Sequence, residues 1–232
     1  MEIIRTFTVP NNNEFAKQNL LELWKDDRFH EVLRQALAPG TPDLLLPAVM
    51  VLIIHLTFHE DVVVTIWANK AVRAALLSAA RLLDRTDGLA VDGPGRASTR
   101  LEAFTALHNL TFATDPRIEM LQHRHMLDVL GALVLDGAAG RLGSLSIPSG
   151  LLREAVGCLR HLAQEPDLTE QILDNEVVLP LATLVQATPQ RESAALEIAE
   201  LSTACLRHLG SCGGADGERA RAAIVGAGAL DF

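Results

Sequence analysis

The sequence predicts an all-α protein built as an α-solenoid, and three observations carry that expectation. The pentapeptide Cys-Leu-Arg-His-Leu occurs twice, at Cys158–Leu162 and at Cys205–Leu209. Anchored on its final Leu, the frame recurs as Leu107-His108-Asn109-Leu110 and as Ile53-Ile54-His55-Leu56, so that Leu56, Leu110, Leu162 and Leu209 stand 54, 52 and 47 residues apart. Units of this length cannot bury an apolar face alone and do so by stacking on their neighbours. The composition agrees: Leu and Ala dominate, aromatics are only 4% of 232 residues and Tyr is absent, whereas strands prefer aromatic and β-branched residues. Helix-start chemistry also recurs. Thr41-Pro42, Thr99 with Glu102, Ser149 and Thr188-Pro189 each offer a hydroxyl to the unpartnered N–H groups of a helix running to one of the four Leu anchors.

Ahead of the first anchor, Met1 to Asn13 reads as an extended lead-in with Val9-Pro10 and three Asn, and a helical pattern begins at Glu14. Phe15, Leu20, Leu21, Leu23 and Trp24 give that helix a buried side. A second amphipathic stretch from Phe29 to Leu37 stops at Pro39-Gly40, where the missing N–H and the ring of proline forbid continuation. Residues 1–40 are therefore expected to be a lead-in and an irregular cap, and 41–232 to carry about four repeats, the last incomplete at Phe232. Between the anchored helices, shorter ones are expected at Val62 to Ala68, Ala71 to Leu83, Asp167 to Leu173 and Glu176 to Gln186, with fresh starts at Asp115-Pro116 and at Pro166-Asp167 with Glu170. The intervals exceed a compact repeat of roughly 40–47 residues, which places extra loop at Asp87–Ala97 and Gly137–Pro148.

Composition also excludes function classes. A net charge of −9 with no long basic run argues against nucleic acid, because phosphate contacts need clustered Lys and Arg. The most apolar run, Leu44 to Phe58, is about 15 residues and falls short of the roughly 20 needed to span a bilayer. Three cysteines, Cys158, Cys205 and Cys212, without a leader pattern at the N-terminus, fit a cytoplasmic or nuclear protein without structural disulfides.

Chemistry-bearing residues are few. Cys205, His208 and Cys212 fall at i, i+3 and i+7, a spacing that could present two thiolates and an imidazole to zinc, and this makes a metal-binding or enzymatic protein one alternative. Cys158, however, holds the repeat position of Cys205, which points to a small buried residue required by packing. His30 and His123-Arg124-His125 stand beside no recognisable nucleophile motif. The reading is therefore a non-enzyme without a cofactor.

The pattern Ala-x-x-x-Leu-x-[Asn/His]-Leu in Ala103 to Thr111 and Ala155 to Ala163, together with Glu176 to Leu181 and Ala223 to Leu230, resembles the armadillo repeat over roughly residues 42–232. The resemblance implies a right-handed α-solenoid of three-helix repeats whose third helices line a concave groove holding an extended segment of a partner protein. The groove ladder would be His55, Asn109, His161 and His208, flanked by Arg160 and Arg207. A neutral imidazole donates through one nitrogen and accepts through the other, as an Asn amide does with its two atoms, and it gains charge at mildly acid pH. The Trp positions of the importin-α branch are Val51, Thr105, Gly157 and Ala204 here, so acidic or mixed segments of the kind bound by β-catenin fit better. Changing Asn109 and His161 together to Ala is expected to weaken the partner without unfolding the chain. Self-association or adaptor contacts through the cap around Trp24, or through the convex face, form the other alternative.

Overall fold

The structure, a computed structural model, describes residues 14–37, 45–80, 94–139, 149–186 and 193–229. Every regular element among them is helical, thirteen α-helices and one 3-10 turn, which establishes the all-α class. The chain forms two compact units, Met1–Pro116 and Arg117–Phe232.

The first unit contains α1 (Glu14–Lys25), α2 (Asp27–Ala36), α3 (Leu45–Thr57), α4 (Glu60–Ala68), α5 (Lys70–Ala80) and α6 (Pro94–Leu110). Asp26 turns α1 into α2, because its carboxylate accepts from the Arg28 backbone N–H at 2.9 Å and so satisfies an otherwise orphaned donor. Trp24 is buried and its indole N–H donates to Thr65 Oγ1 at 2.9 Å, which ties α1 to α4. Asn69 separates α4 from α5 in the same manner, its Oδ1 accepting from the N–H groups of Ala71 and Val72 at 3.1 and 3.3 Å. The anchored helices α3 and α6 pack directly on each other, with Leu56 and Leu110 both fully buried. They also end alike: Thr57 Oγ1 donates to the Ile54 carbonyl and Thr111 Oγ1 to the His108 carbonyl, each at 2.6 Å.

One expectation fails here. Helix α6 starts at Pro94, so residues 94–97 are helical rather than loop, and Thr99 is a 3% exposed interior residue instead of a cap. Proline at a first helical position has φ already set and no N–H to orphan, and this signal outweighed the capping box. The rest of the expected loop, residues 87–93, lies outside the described residues, as do the lead-in Met1 to Asn13, both Thr-Pro starts and the terminal Leu230 and Phe232.

Helix α7 (Thr114–Gln122) crosses the boundary into the second unit, which continues with α8 (Arg124–Ala138), α9 (Ser149–Leu162), a 3-10 turn (Pro166–Leu168), α10 (Thr169–Asp174), α11 (Val178–Gln186), α12 (Ser193–Ser211) and α13 (Gly214–Gly226). The anchored helices α9 and α12 again pack on each other, α8 lies against α9 and α11, and α13 lies against α10, α11 and α12. Leu162 and Leu209 are fully buried. Arg117 braces the end of α9, its guanidinium meeting Glu165 at 2.8 Å and Gln164 at 2.6 Å.

Gly137 and Ala138, expected to open a loop, belong to α8. A Cβ on Gly137 would sit 2.9 Å from both Leu152 methyls, so this glycine serves helix approach and not a turn; residues 140–148 lie outside the described set. Helix α13 does end on a glycine used for its conformation. Gly228 has φ +71°, while the N–H groups of Gly228 and Ala229 donate to Val225 and Ile224, the paired closure that satisfies the last carbonyls of a helix. Among the described residues no single helix is long and apolar enough to cross a membrane.

Candidate functional site

The two copies of Cys-Leu-Arg-His-Leu occupy matching places on α9 and α12, yet their exposure differs. Cys158, Leu159 and Leu162 are fully buried, as are Cys205 and Leu209, with Leu206 5% exposed. His161 is buried at 7% exposed, whereas His208 is half-buried; Arg160 is half-buried and Arg207 exposed. Three of the five positions are thus core, and the polar pair is presented mainly by the second copy.

Electrostatics join the copies. The Arg160 guanidinium acts on Cys205 and on His208, so the first copy's cation reaches the second copy's helix. The His208 pKa is lowered, first by burial and then by Arg160 and Arg207. In the window between that lowered value and the ordinary 6.5, the unfolded chain binds more protons than the folded one, so this contribution destabilises the fold as pH falls through the window. Ring-proton titration by NMR should place the His208 midpoint below 6.5, and Arg160→Gln should move it upward. A midpoint at or above 6.5 in the unaltered chain would contradict this account. His55 shifts in the same direction through burial alone.

Beside Arg207 an apolar pocket of about 480 Å³ opens between α11, α12 and α13, framed by Leu206, Ile224 and Val225 with Arg221 among its lining residues. Arg221 is held by the carbonyls of Gly210 and Cys212 at 2.9 and 3.1 Å. Two guanidinium groups and an apolar hollow therefore share one region of the second unit.

In the first unit, Asn109 is half-buried and its amide donates to Thr57 Oγ1 at 2.9 Å. The position expected to meet a peptide is thus engaged in tying α6 to α3. Asn109→Ala should lower stability by about 1 kcal/mol, the ordinary net worth of such a bond, because Thr57 keeps its own donation to Ile54 and no buried hydroxyl is orphaned. Urea unfolding would show it, and an unchanged midpoint would contradict the assigned role. His55 is half-buried, with the exposed Phe58 ring centred 6.5 Å away.

Two exposed aromatics stand at equivalent places in the recurring frame, outside the expected site positions. Phe58 and Phe112 are 65% and 62% exposed, each directly after the buried threonine at the C-terminal end of α3 or just beyond α6, and His108 stacks on Phe112 at 5.3 Å. The recurrence of Leu-Thr-Phe at 56–58 and 110–112 in the repeat frame was the available signal.

The zinc alternative fares poorly in the geometry. Helix α12 ends at Ser211, so Cys212 leaves the face that the i, i+3, i+7 spacing assumed. Its sulfur lies 3.0 Å from Thr169 Oγ1 and donates to the His208 carbonyl at 3.4 Å. Burial pushes the Cys205 thiol up to about 12, with Arg160 pulling the other way, and burial drives Cys158 well upward too, as fits side chains enclosed in the core. Among the described residues no three His, Cys, Asp or Glu side chains converge as a metal site.

No protein-family model matches the chain, and no curated protein is significantly similar to it.

Proposed function

We propose that the chain is a non-enzymatic protein–protein interaction module of stacked armadillo-like repeats, a right-handed α-solenoid that acts in the cytoplasm or nucleus. Its third helices hold an extended acidic or mixed segment of a partner protein. The observation that carries the reading is the electrostatic influence of both Arg160 and Arg207 on His208, across the packed helices α9 and α12, next to the Arg207 pocket, in a chain whose net charge is −9. A local cation cluster on an anionic protein favours an acidic ligand at short range, because exposed charges beyond about 10 Å are largely screened at physiological salt. The pairwise packing of equivalent helices, α3 on α6 and α9 on α12, supports the repeat architecture. The groove role is assigned to Arg207, His208 and Arg160 of the second unit, with the buried His161 as a supporting residue, and to His55 and Asn109 at the equivalent sequence positions of the first unit.

The test is selection of extended peptides from a displayed library on the full chain, followed by competition. Acidic or mixed binders should be recovered, and Arg207→Glu, at an exposed side chain, should weaken their binding about ten-fold or more while the thermal midpoint is retained, with Arg160→Glu added to it abolishing binding. Recovery of basic peptides only, or binders indifferent to the reversal, would sink the assignment.

A further inference from the structure

We propose that a second groove, on the other helices of the second unit, takes a basic amphipathic helix from a partner protein. The groove has a volume of about 870 Å³ and lies across α8, α11 and α13, with no lining residue from α9 or α12. It is therefore separate from the site assigned above.

Small residues, Ala132 on α8 and Ala223 on α13, line two of its sides and permit close approach of a backbone. Leu135 and Leu179 line it at 57% and 62% exposed. Along α8 and at its C-cap, Ala132, Leu135 and Ala139 follow helical spacing and are exposed, with Asp128 one turn before them, so this face carries a short apolar stripe that the described residues of its unit leave uncovered. An uncovered stripe of this kind beside an apolar groove is what an amphipathic partner helix completes.

Charge decides which helix. Arg219 lines the groove but is paired with Asp174 at 2.7 Å. Among the described residues, that leaves the carboxylates of Asp128 and Glu176, the partner of Asp128 there being the His125 ring at 3.7 Å, uncharged unless protonated. A rim whose two carboxylates carry no cationic side chain among the described residues, on a chain of net charge −9, repels both a second copy and an anionic lipid surface and attracts lysine and arginine.

The probe is a fluorescein-labelled synthetic peptide with leucine and lysine at helical spacing, compared with a leucine–glutamate peptide of the same pattern. On the full chain at physiological salt the lysine peptide should bind about ten-fold or more tightly than its acidic counterpart and gain helical circular dichroism on binding. Leu135→Ser with Leu179→Ser should weaken it by about ten-fold or more, with the thermal midpoint kept because both side chains are exposed. Asp128→Lys with Glu176→Lys should reverse the preference, whereas Arg160→Glu with Arg207→Glu should not weaken the lysine peptide. Equal binding of the two peptides, or indifference to the leucine or carboxylate pair, would overturn the proposal. So would a dimer of the chain itself, seen by sedimentation, that the leucine pair dissolves.

Discussion

Trp67→Ala is expected to lower stability by about 3–5 kcal/mol, the largest single loss foreseen, because it removes a large aromatic from a site that cannot collapse around the void. Trp67 lies near the end of α4 at 1% exposed, next to the fully buried Ile66. Arg73 holds the place from outside: its guanidinium sits 5.7 Å from the indole centre and donates to the Trp67 carbonyl at 3.2 Å. Truncation therefore forfeits the buried area and the cation–π contact together. Urea unfolding should show the midpoint shift, and hydrogen exchange should show lost protection in α4 and α5. A loss below about 1 kcal/mol would mean that the first unit repacks freely, against the density expected of a protein interior.

Gly217→Ala sets two effects of opposite sign against each other. Helix propensity favours alanine by up to about 1 kcal/mol. A Cβ at Gly217, however, would lie 1.8 Å from the Cys212 carbonyl oxygen and 2.5 Å from its carbon, and a backbone atom cannot swing aside as a side-chain end can. Helix α13 would have to back away, disturbing the Arg221 bond to Cys212 and the contact of Cys212 with Thr169. Overpacking of this severity should exceed the propensity gain and cost about 3 kcal/mol net. Gly226→Ala is the control: nothing lies within 4 Å of its added Cβ, so it should be neutral or stabilise by a few tenths of a kcal/mol. If both substitutions raise the thermal midpoint, the close approach of α13 to Cys212 is wrong.

Local sequence and tertiary approach part company at such positions. The four Leu anchors, the helix ends beside them and the start at Asp115-Pro116 were legible because apolar period and end chemistry are local properties of a few neighbouring residues. Gly137 and Gly217 were not. A glycine's sequence context cannot show whether it is needed for backbone freedom or for the absence of a Cβ, and only the approach of Leu152 or Cys212 decides between them. The same limit applied to Thr99, whose capping pattern was sound but whose helix begins five residues earlier.

The candidate site divides in the same way. By itself the sequence determined an all-helical chain, the recurring sequence frame, the burial of its four anchor leucines and of Cys158 and Cys205, and a short list of polar positions in that frame. Tertiary structure decided what those positions do. Asn109 is drawn into a bond with Thr57, and His161 is enclosed while His208, in an identical pentapeptide, stays half-exposed. Arg160 acts on His208 of the second pentapeptide copy, and an apolar groove opens on α8, α11 and α13. The physical reason is that helix formation rests on contacts within a turn or two of chain, whereas exposure, charge and partner choice depend on which helix lies opposite.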